Sequence, residues 1–351
     1  MLAGIRNPLV YLLMAALSAV AIACSAPAPQ QADTPVPAPS PSATPAGPEE
    51  ATVKLALDWY PNSNHLGLYI AQDKGYFEEE NLNVNIYTPV DPSTVLQTVG
   101  SGADDFGISY QPDVLLARAQ GVPVVSIAGM VEHPLNSVMA LQSSGITRPA
   151  QLAGKKVGYP GIPTNEPLLE TMLKADGLNG LEDVELVNVG FNLAESLITG
   201  TVDAVVGAYY THESILLENQ GHPVNIMRME EWGVPDYYEL VLVTSEKNVA
   251  EKADVIERFV RAIRRGYEDA AADPQAGVDT LVAGTNEEVD EKIERPGADI
   301  LAPLWQTETS NFGNQQSQKW ENFAEWMKDN DLLPEEVDAS KAFTGRFSNI
   351  R

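Results

Sequence analysis

Aromatic rings, carboxylates and side-chain amides gather in short turns where a strand pattern gives way to a helix pattern. These turns are Asp58-Trp59-Tyr60, Ser109-Tyr110-Gln111, Tyr159-Pro160-Gly161 running on to Asn165-Glu166, Gly190-Phe191-Asn192, and Gly207-Ala208-Tyr209-Tyr210. Glu239 adds an acid directly after the Tyr237-Tyr238 pair, at the head of an apolar strand pattern. Together such groups recognise a flat, neutral or weakly basic ring: aromatic faces stack, and amides and carboxylates meet ring N–H and amine donors. Phosphate, sulfonate or nitrate would demand cations or glycine-rich helix N-termini, and these turns carry no Lys or Arg.

Covalent and metal chemistry find less support. The four histidines are His65, His133, His212 and His222, and no HExxH, paired CxxC or His cluster joins them, so no metal is expected. His65 stands near the mouth of the proposed site, where it either reaches the ligand or only starts the first helix. His133 reads as a hinge-loop residue, and His212 and His222 as structural or exposed. No GxSxG elbow is present, and "GYPGIPTNE" lacks the lysine of a phosphate-binding loop. Trp320, Phe323 and Trp326 recur at helical spacing and read as core packing.

Alternating short strands and longer helices position these turns, which indicates an α/β fold with a largely parallel sheet. "TVKLALD" sets Val53, Leu55 and Leu57 on one face, and further strand-to-helix units follow to about residue 131. A second series starts near residue 152. The expected organisation is a discontinuous first lobe, 51–142 plus 236–351, and a second lobe, 143–235. Apolar runs at 136–142 and 237–245 serve as the two crossovers, which makes a hinge. In open α/β sheets ligands bind beyond the carboxyl ends of the strands, where the turns above lie.

The first 24 residues resemble a lipoprotein signal peptide: an apolar stretch ends at Cys24, the only cysteine. Ile22 departs from the usual small residue of a lipobox. A lone cysteine leaves no intrachain disulfide. Residues 25–50 form a Pro/Ala-rich tether with too little apolar surface to offset its ordering entropy, so disorder is expected there. The 351 residues suffice for two lobes, and a net charge of -27 with 22 Lys+Arg disfavours nucleic acid or anionic lipid surfaces as partners. Anchorage is therefore expected through lipid, on the extracytoplasmic face of the cell membrane.

"LDWYPNSNHLGLYIAQDKGYFEEENLNV", "GISYQPDVLLARAQGVPVVSI", "HPLNSVMAL", "GKKVGYPGIPTNE", "VNVGFNLAESLITGTVDAVVGAYYTHE" and "WGVPDYYELVLVTSE" together resemble a known family. It is that of the substrate-binding proteins of bacterial ABC importers of the thiamine-pyrimidine type. The likeness spans about residues 53 to 350. It implies a two-lobed periplasmic-binding-protein fold (type II) that closes on its ligand and serves a permease and its ATPase, as a monomer without cofactor. The implied ligand is N-formyl-4-amino-5-aminomethyl-2-methylpyrimidine, captured for thiamine salvage. Asp58, Trp59, Tyr110 and Asn165 match the family's ligand contacts. Glu166, Tyr209, Tyr210 and Glu239 stand in matching blocks, and Tyr60, His65, Gln111 and Tyr159 lie beside them. Riboflavin or another heteroaromatic is the rival ligand. The rival class is a pyrimidine-synthesising enzyme, whose fungal relatives carry a cysteine-rich iron-binding motif that this sequence lacks.

Overall fold

A computed structural model describes residues 48–286, 288–305 and 312–348. The expected signal peptide, Cys24 and most of the tether lie outside the described residues. Strand β1 (Ala51–Ala56) leads through a 3-10 turn at Ser63–His65 into α1 (Leu66–Asp73) and α2 (Tyr76–Glu79). Next come β2 (Leu82–Tyr87) with α3 (Val95–Ser101), β3 (Phe106–Ser109) with α4 (Gln111–Ala119), and β4 (Val124–Val131). The second series opens with β5 (Asn136–Leu141). It continues as β6 (Lys156–Tyr159) with α5 (Asn165–Ala175), β7 (Glu185–Asn188) with α6 (Leu193–Ile198), β8 (Ala204–Tyr209) with α7 (Glu213–Asn219), and β9 (Val224–Arg228). Strand β10 (Leu240–Ser245) precedes α8 (Glu246–Glu251), α9 (Ala253–Ala272), α10 (Pro274–Gly284), α11 (Glu291–Trp305) and α12 (Ser317–Asp329).

These strands form two five-stranded sheets, ordered β2-β1-β3-β10-β4 and β7-β6-β8-β5-β9, within one compact unit, Gly47–Arg351. Both sheets are mixed rather than all parallel. β1 runs parallel to β2 and β3, and β6 runs parallel to β7 and β8. β10 is antiparallel to β3 and β4, and β5 to β8 and β9. The two odd strands are the ones the chain enters straight after crossing between sheets. The parallel strands point their carboxyl ends at the cleft, so a strand that starts there must run the opposite way.

This topology corrects the expected boundaries. Residues 136–142 were expected in the first lobe as a crossover, but β5 pairs throughout with β8 and β9 and belongs to the second sheet. Likewise β10 is an inner strand of the first sheet. The crossings are therefore the shorter segments 132–135 and 233–239, and both run past the cleft.

Helix α9 anchors the first lobe. Its Ile256, Phe259, Val260, Ile263 and Tyr267 are buried at helical spacing, and Phe259 stacks between Phe77 and Phe106 with ring centroids 5.5 and 4.2 Å away. Trp320 and Phe323 of α12 are fully buried in core packing. α9 meets α1 backbone to backbone, because a Cβ on Gly266 would lie 1.9 Å from the Gly67 carbonyl oxygen. The next residue, Tyr267, donates its hydroxyl to the Asn64 carbonyl oxygen at 2.7 Å, which fixes the turn after β1. We expect Gly266→Ala to cost about 3 kcal/mol or more in urea denaturation, since overpacked backbone has no flexible side chain to yield. Gly345→Ala, with open space around it, should change stability by less than about 0.5 kcal/mol.

Candidate functional site

The first functional turn is built around Asp58, buried just past β1. Its Oδ1 meets His65 Nε2 at 2.9 Å, and its Oδ2 accepts the Tyr110 hydroxyl at 3.1 Å. His65 Nδ1 accepts the Asn62 backbone N–H at 3.2 Å, so the ring proton sits on Nε2 and the imidazole is neutral. Asn62 also caps the 3-10 turn by accepting the Asn64 N–H at 2.8 Å. Asp58 thus faces the cleft as a buried carboxylate held by two neutral donors, each oxygen keeping one lone-pair direction.

Glu239 closes the opposite side. Its Oε2 accepts the backbone N–H of Leu135 at 2.7 Å and of Asn136 at 3.0 Å, and the Tyr237 hydroxyl at 3.1 Å. Its Oε1 accepts the Tyr209 hydroxyl at 3.0 Å. Burial nevertheless pushes its pKa up to about 7, although all four hydrogen bonds favour the charged form. Asp113, at the start of α4, is pushed up to about 7 by the same cause, opposed by its bond from the Thr164 hydroxyl. That bond joins the two lobes. Burial, with Asp58 or Glu239 nearby, holds the phenols of Tyr110, Tyr209 and Tyr237 well above the usual tyrosine value, so they remain donors.

In the second lobe Asn136 donates to Asn165 Oδ1 at 2.9 Å and accepts the Gly207 N–H at 3.0 Å. Asn165 keeps its NH2 free but for a long 3.4 Å contact to the Ile162 carbonyl. Trp59 crosses the cleft and meets Phe191 of the second lobe edge-on, ring centroids 4.5 Å apart.

These groups line a cavity with about 510 Å³ of empty space, part of it open to solvent. Of the sequence-derived residues, Asp58, Trp59, Tyr110, Asn165, Tyr209 and Glu239 line it; Glu166, Tyr210, Tyr60, His65, Gln111 and Tyr159 do not. Each absence has a local cause. Tyr60 is 53% exposed and leans on Phe191. His65 stands behind Asp58 and acts through it. Gln111 turns back to accept the Tyr238 N–H at 2.8 Å. Tyr159 and Glu166 bond each other, and Tyr210 lies under the Arg228 guanidinium at 4.0 Å.

Sequence reasoning missed Asn62, Asn136, Tyr237, His212 and Glu213, which also line the cavity. Asn136 was hidden by reading β5 as a crossover. His212 and Glu213 lie only a few residues past the Tyr209-Tyr210 turn, so following each strand-end turn into the first helical residues would have found them. None of the described residues lining the cavity is Lys or Arg.

Residues 62–277 match the family model described as "NMT1/THI5 like". The chain is 41% identical over 296 residues to the formylaminopyrimidine-binding protein of Halalkalibacterium halodurans, covering 84% of this chain and 89% of that one. It is 31% identical over 232 residues to a 4-amino-5-hydroxymethyl-2-methylpyrimidine phosphate synthase of Saccharomyces cerevisiae, covering 63% and 68%. Among solved structures it resembles the alkanesulfonate-binding protein SsuA of Xanthomonas axonopodis pv. citri, with TM-score 0.66, 17% identity and 85% and 99% coverage. It also resembles the Candida albicans CA3427 product, described as having the generic periplasmic binding protein fold, with TM-score 0.61, 17% identity and 86% and 98% coverage. The fold is therefore the two-lobed α/β fold of periplasmic binding proteins.

The two raised acids make a test. Folded Glu239 and Asp113 hold protons up to about pH 7, against ordinary values of 4.5 and 3.8. The stability they contribute is full below those ordinary values and is lost as pH rises through 7. Denaturation at pH 5 and pH 7 should show a loss on the order of 1 kcal/mol per pH unit per acid. Glu239→Gln should flatten that slope; an unchanged slope would exclude Glu239 as its source.

Proposed function

The chain belongs to the NMT1/THI5-like family, and from that premise we propose that it is the solute-binding component of an ABC importer. Its ligand is a formylated aminopyrimidine, and its role is delivery of that ring to a permease for thiamine salvage. The observation that carries this reading is the cavity itself: four aromatics, Trp59, Tyr110, Tyr209 and Tyr237, around the buried Asp58 carboxylate, with no Lys or Arg among the described residues of the wall. A sulfonate would meet the buried Asp58 carboxylate there, at a high desolvation cost, and the His212 side chain in the wall is already flanked by the carboxylates of Glu213 and Glu294. A ring with an amine and a basic nitrogen meets an acceptor aimed at its donors. The Asn165 NH2 is the natural partner for a formyl oxygen.

A binding role, rather than synthesis, is supported by the 41% likeness to a binding protein and by the lone cysteine, Cys24. No helix among the described residues is long and apolar enough to cross a membrane. The N-terminal lipobox-like segment supplies the anchor in this reading, and the Pro-rich tether lets the lobes reach the permease.

Calorimetry with the formylaminopyrimidine should show tight binding. Asp58→Asn should weaken it about 100-fold, the equivalent of a lost charge-assisted hydrogen bond. Trp59→Ala should weaken it about tenfold through lost stacking. Riboflavin should leave the melting temperature unchanged. Unaltered affinity in both variants would remove this cavity as the site. Cys24→Ser should release the protein from the membrane fraction into the medium or periplasm.

A further inference from the structure

Helix α11 belongs to the first lobe, where Ala298, Leu301 and Trp305 join the core, but its flank touches the second lobe. Glu294 lies on that flank, 2% exposed. Its Oε2 accepts the Ser63 backbone N–H at 2.5 Å, which ties it to the turn that carries Asp58 and His65. Its Oε1 faces His212 Nε2, across the cleft, at 3.4 Å. The other ring nitrogen of His212 lies 2.9 Å from Glu213 Oε1, and Glu213 Oε2 accepts the Tyr209 N–H at 2.8 Å.

An imidazole with a carboxylate oxygen at each nitrogen donates from both, so His212 is the imidazolium. Burial alone would lower its pKa, but Glu213 and Glu294 more than offset that and hold it up to about 10. The seam extends beyond this ion pair. A Cβ on Gly297, one turn along α11, would lie 2.6 Å from the Thr211 carbonyl oxygen of the second lobe. On the other side of Glu294, at the start of α11, Asn219 of α7 donates to the Lys292 carbonyl oxygen at 3.1 Å.

We propose that Glu294 and His212 form a latch that holds the two lobes together, with Glu294 a positioning residue that never touches the ligand. Only one arm of the bridge spans the lobes. Glu213 accompanies His212 within the second lobe, and Glu294 accompanies Ser63 within the first. Within this bridge, opening the lobes therefore breaks only the His212–Glu294 contact and leaves each carboxylate with a partner. That is the behaviour of a reversible catch: it adds to the closed state, and its loss strands no buried charge. Gly297 supplies the close approach that brings the two halves into register. The inference rests on the solute-binding reading only in taking the lobes to open and close.

The test uses the full chain with Cys24→Ser and spin labels at Val90→Cys and Ile226→Cys, exposed positions on the two lobes. Interlobe distances are read with and without the formylaminopyrimidine. Glu294→Ala should lower the ratio of closed to open molecules about tenfold and weaken binding in proportion to the closed fraction lost. Gly297→Ala, which acts by crowding instead of charge, should also open the lobes. His212→Ala with Glu294→Ala together should open them no further than His212→Ala alone. Unfolding midpoints measured alongside separate closure from loss of fold. Equal closed fractions in wild type and both first-lobe variants, or strictly additive effects of the pair, would overturn the latch. A wild type that ignores the pyrimidine while its closed fraction still responds to Glu294→Ala would overturn the ligand reading and keep the latch.

Discussion

One carboxylate joins nearly everything that must meet at the cleft. Glu239 stands at the head of β10, where the second crossing re-enters the first lobe. It accepts hydrogen bonds from Leu135 and Asn136 of the first crossing and the start of β5, from Tyr237 of the second, and from Tyr209 at the end of β8. Two crossings that share one acceptor cannot slide past each other. A carboxylate is the one side chain able to accept four donors in this space. The cost is desolvation, and the raised pKa records it. The aromatic walls of the cavity depend on that arrangement, because two of the four rings, Tyr209 and Tyr237, are oriented by their bonds to Glu239.

The same logic separates the acids by role. Glu239 spends its acceptor capacity on the protein, and Glu213 and Glu294 spend theirs on His212 and on backbone N–H groups. Among the described residues Asp58 is held by His65 and Tyr110 alone, both neutral. It is therefore the carboxylate that a ligand's donors can satisfy. His65 selects this outcome through its tautomer: the Asn62 N–H occupies Nδ1, so Nε2 presents a single proton to Asp58 and no positive charge. A protonated imidazole there would neutralise the acid and remove the reason for a basic ring to bind.

The α/β alternation was legible along the chain, because buried strands and amphipathic helices impose different periods on the apolar residues. The rule that ligands gather at strand ends led directly to Asp58, Trp59, Tyr110, Asn165 and Tyr209, all of which line the cavity. It failed where adjacency in sequence does not fix direction. Tyr60 follows Trp59 in an irregular turn and points to solvent, and Tyr210 follows Tyr209 and turns away toward Arg228. Strand pairing was equally hidden. β5 and β10 are apolar runs that satisfy a crossover and an inner strand alike, and only their ladders tell which sheet each one joins. His212 looked incidental because its meaning lies in Glu294, 82 residues away and on the other lobe.

Hinge and latch then divide the work of closure between different kinds of bond. At the hinge, three of the four donors to Glu239 lie on or beside the crossings and travel with it, so those bonds can persist through opening. Across the α11 seam the contact is a charged one made between surfaces that part, and water replaces each partner when they do. Such a pair gains most when the cleft is dry, because removing water lowers the local dielectric around both charges. A ligand that fills the cavity beside His212 and Glu213 excludes that water. Recognition and closure are thereby coupled through hydration: the ring strengthens a bond to Glu294, a residue that it does not touch.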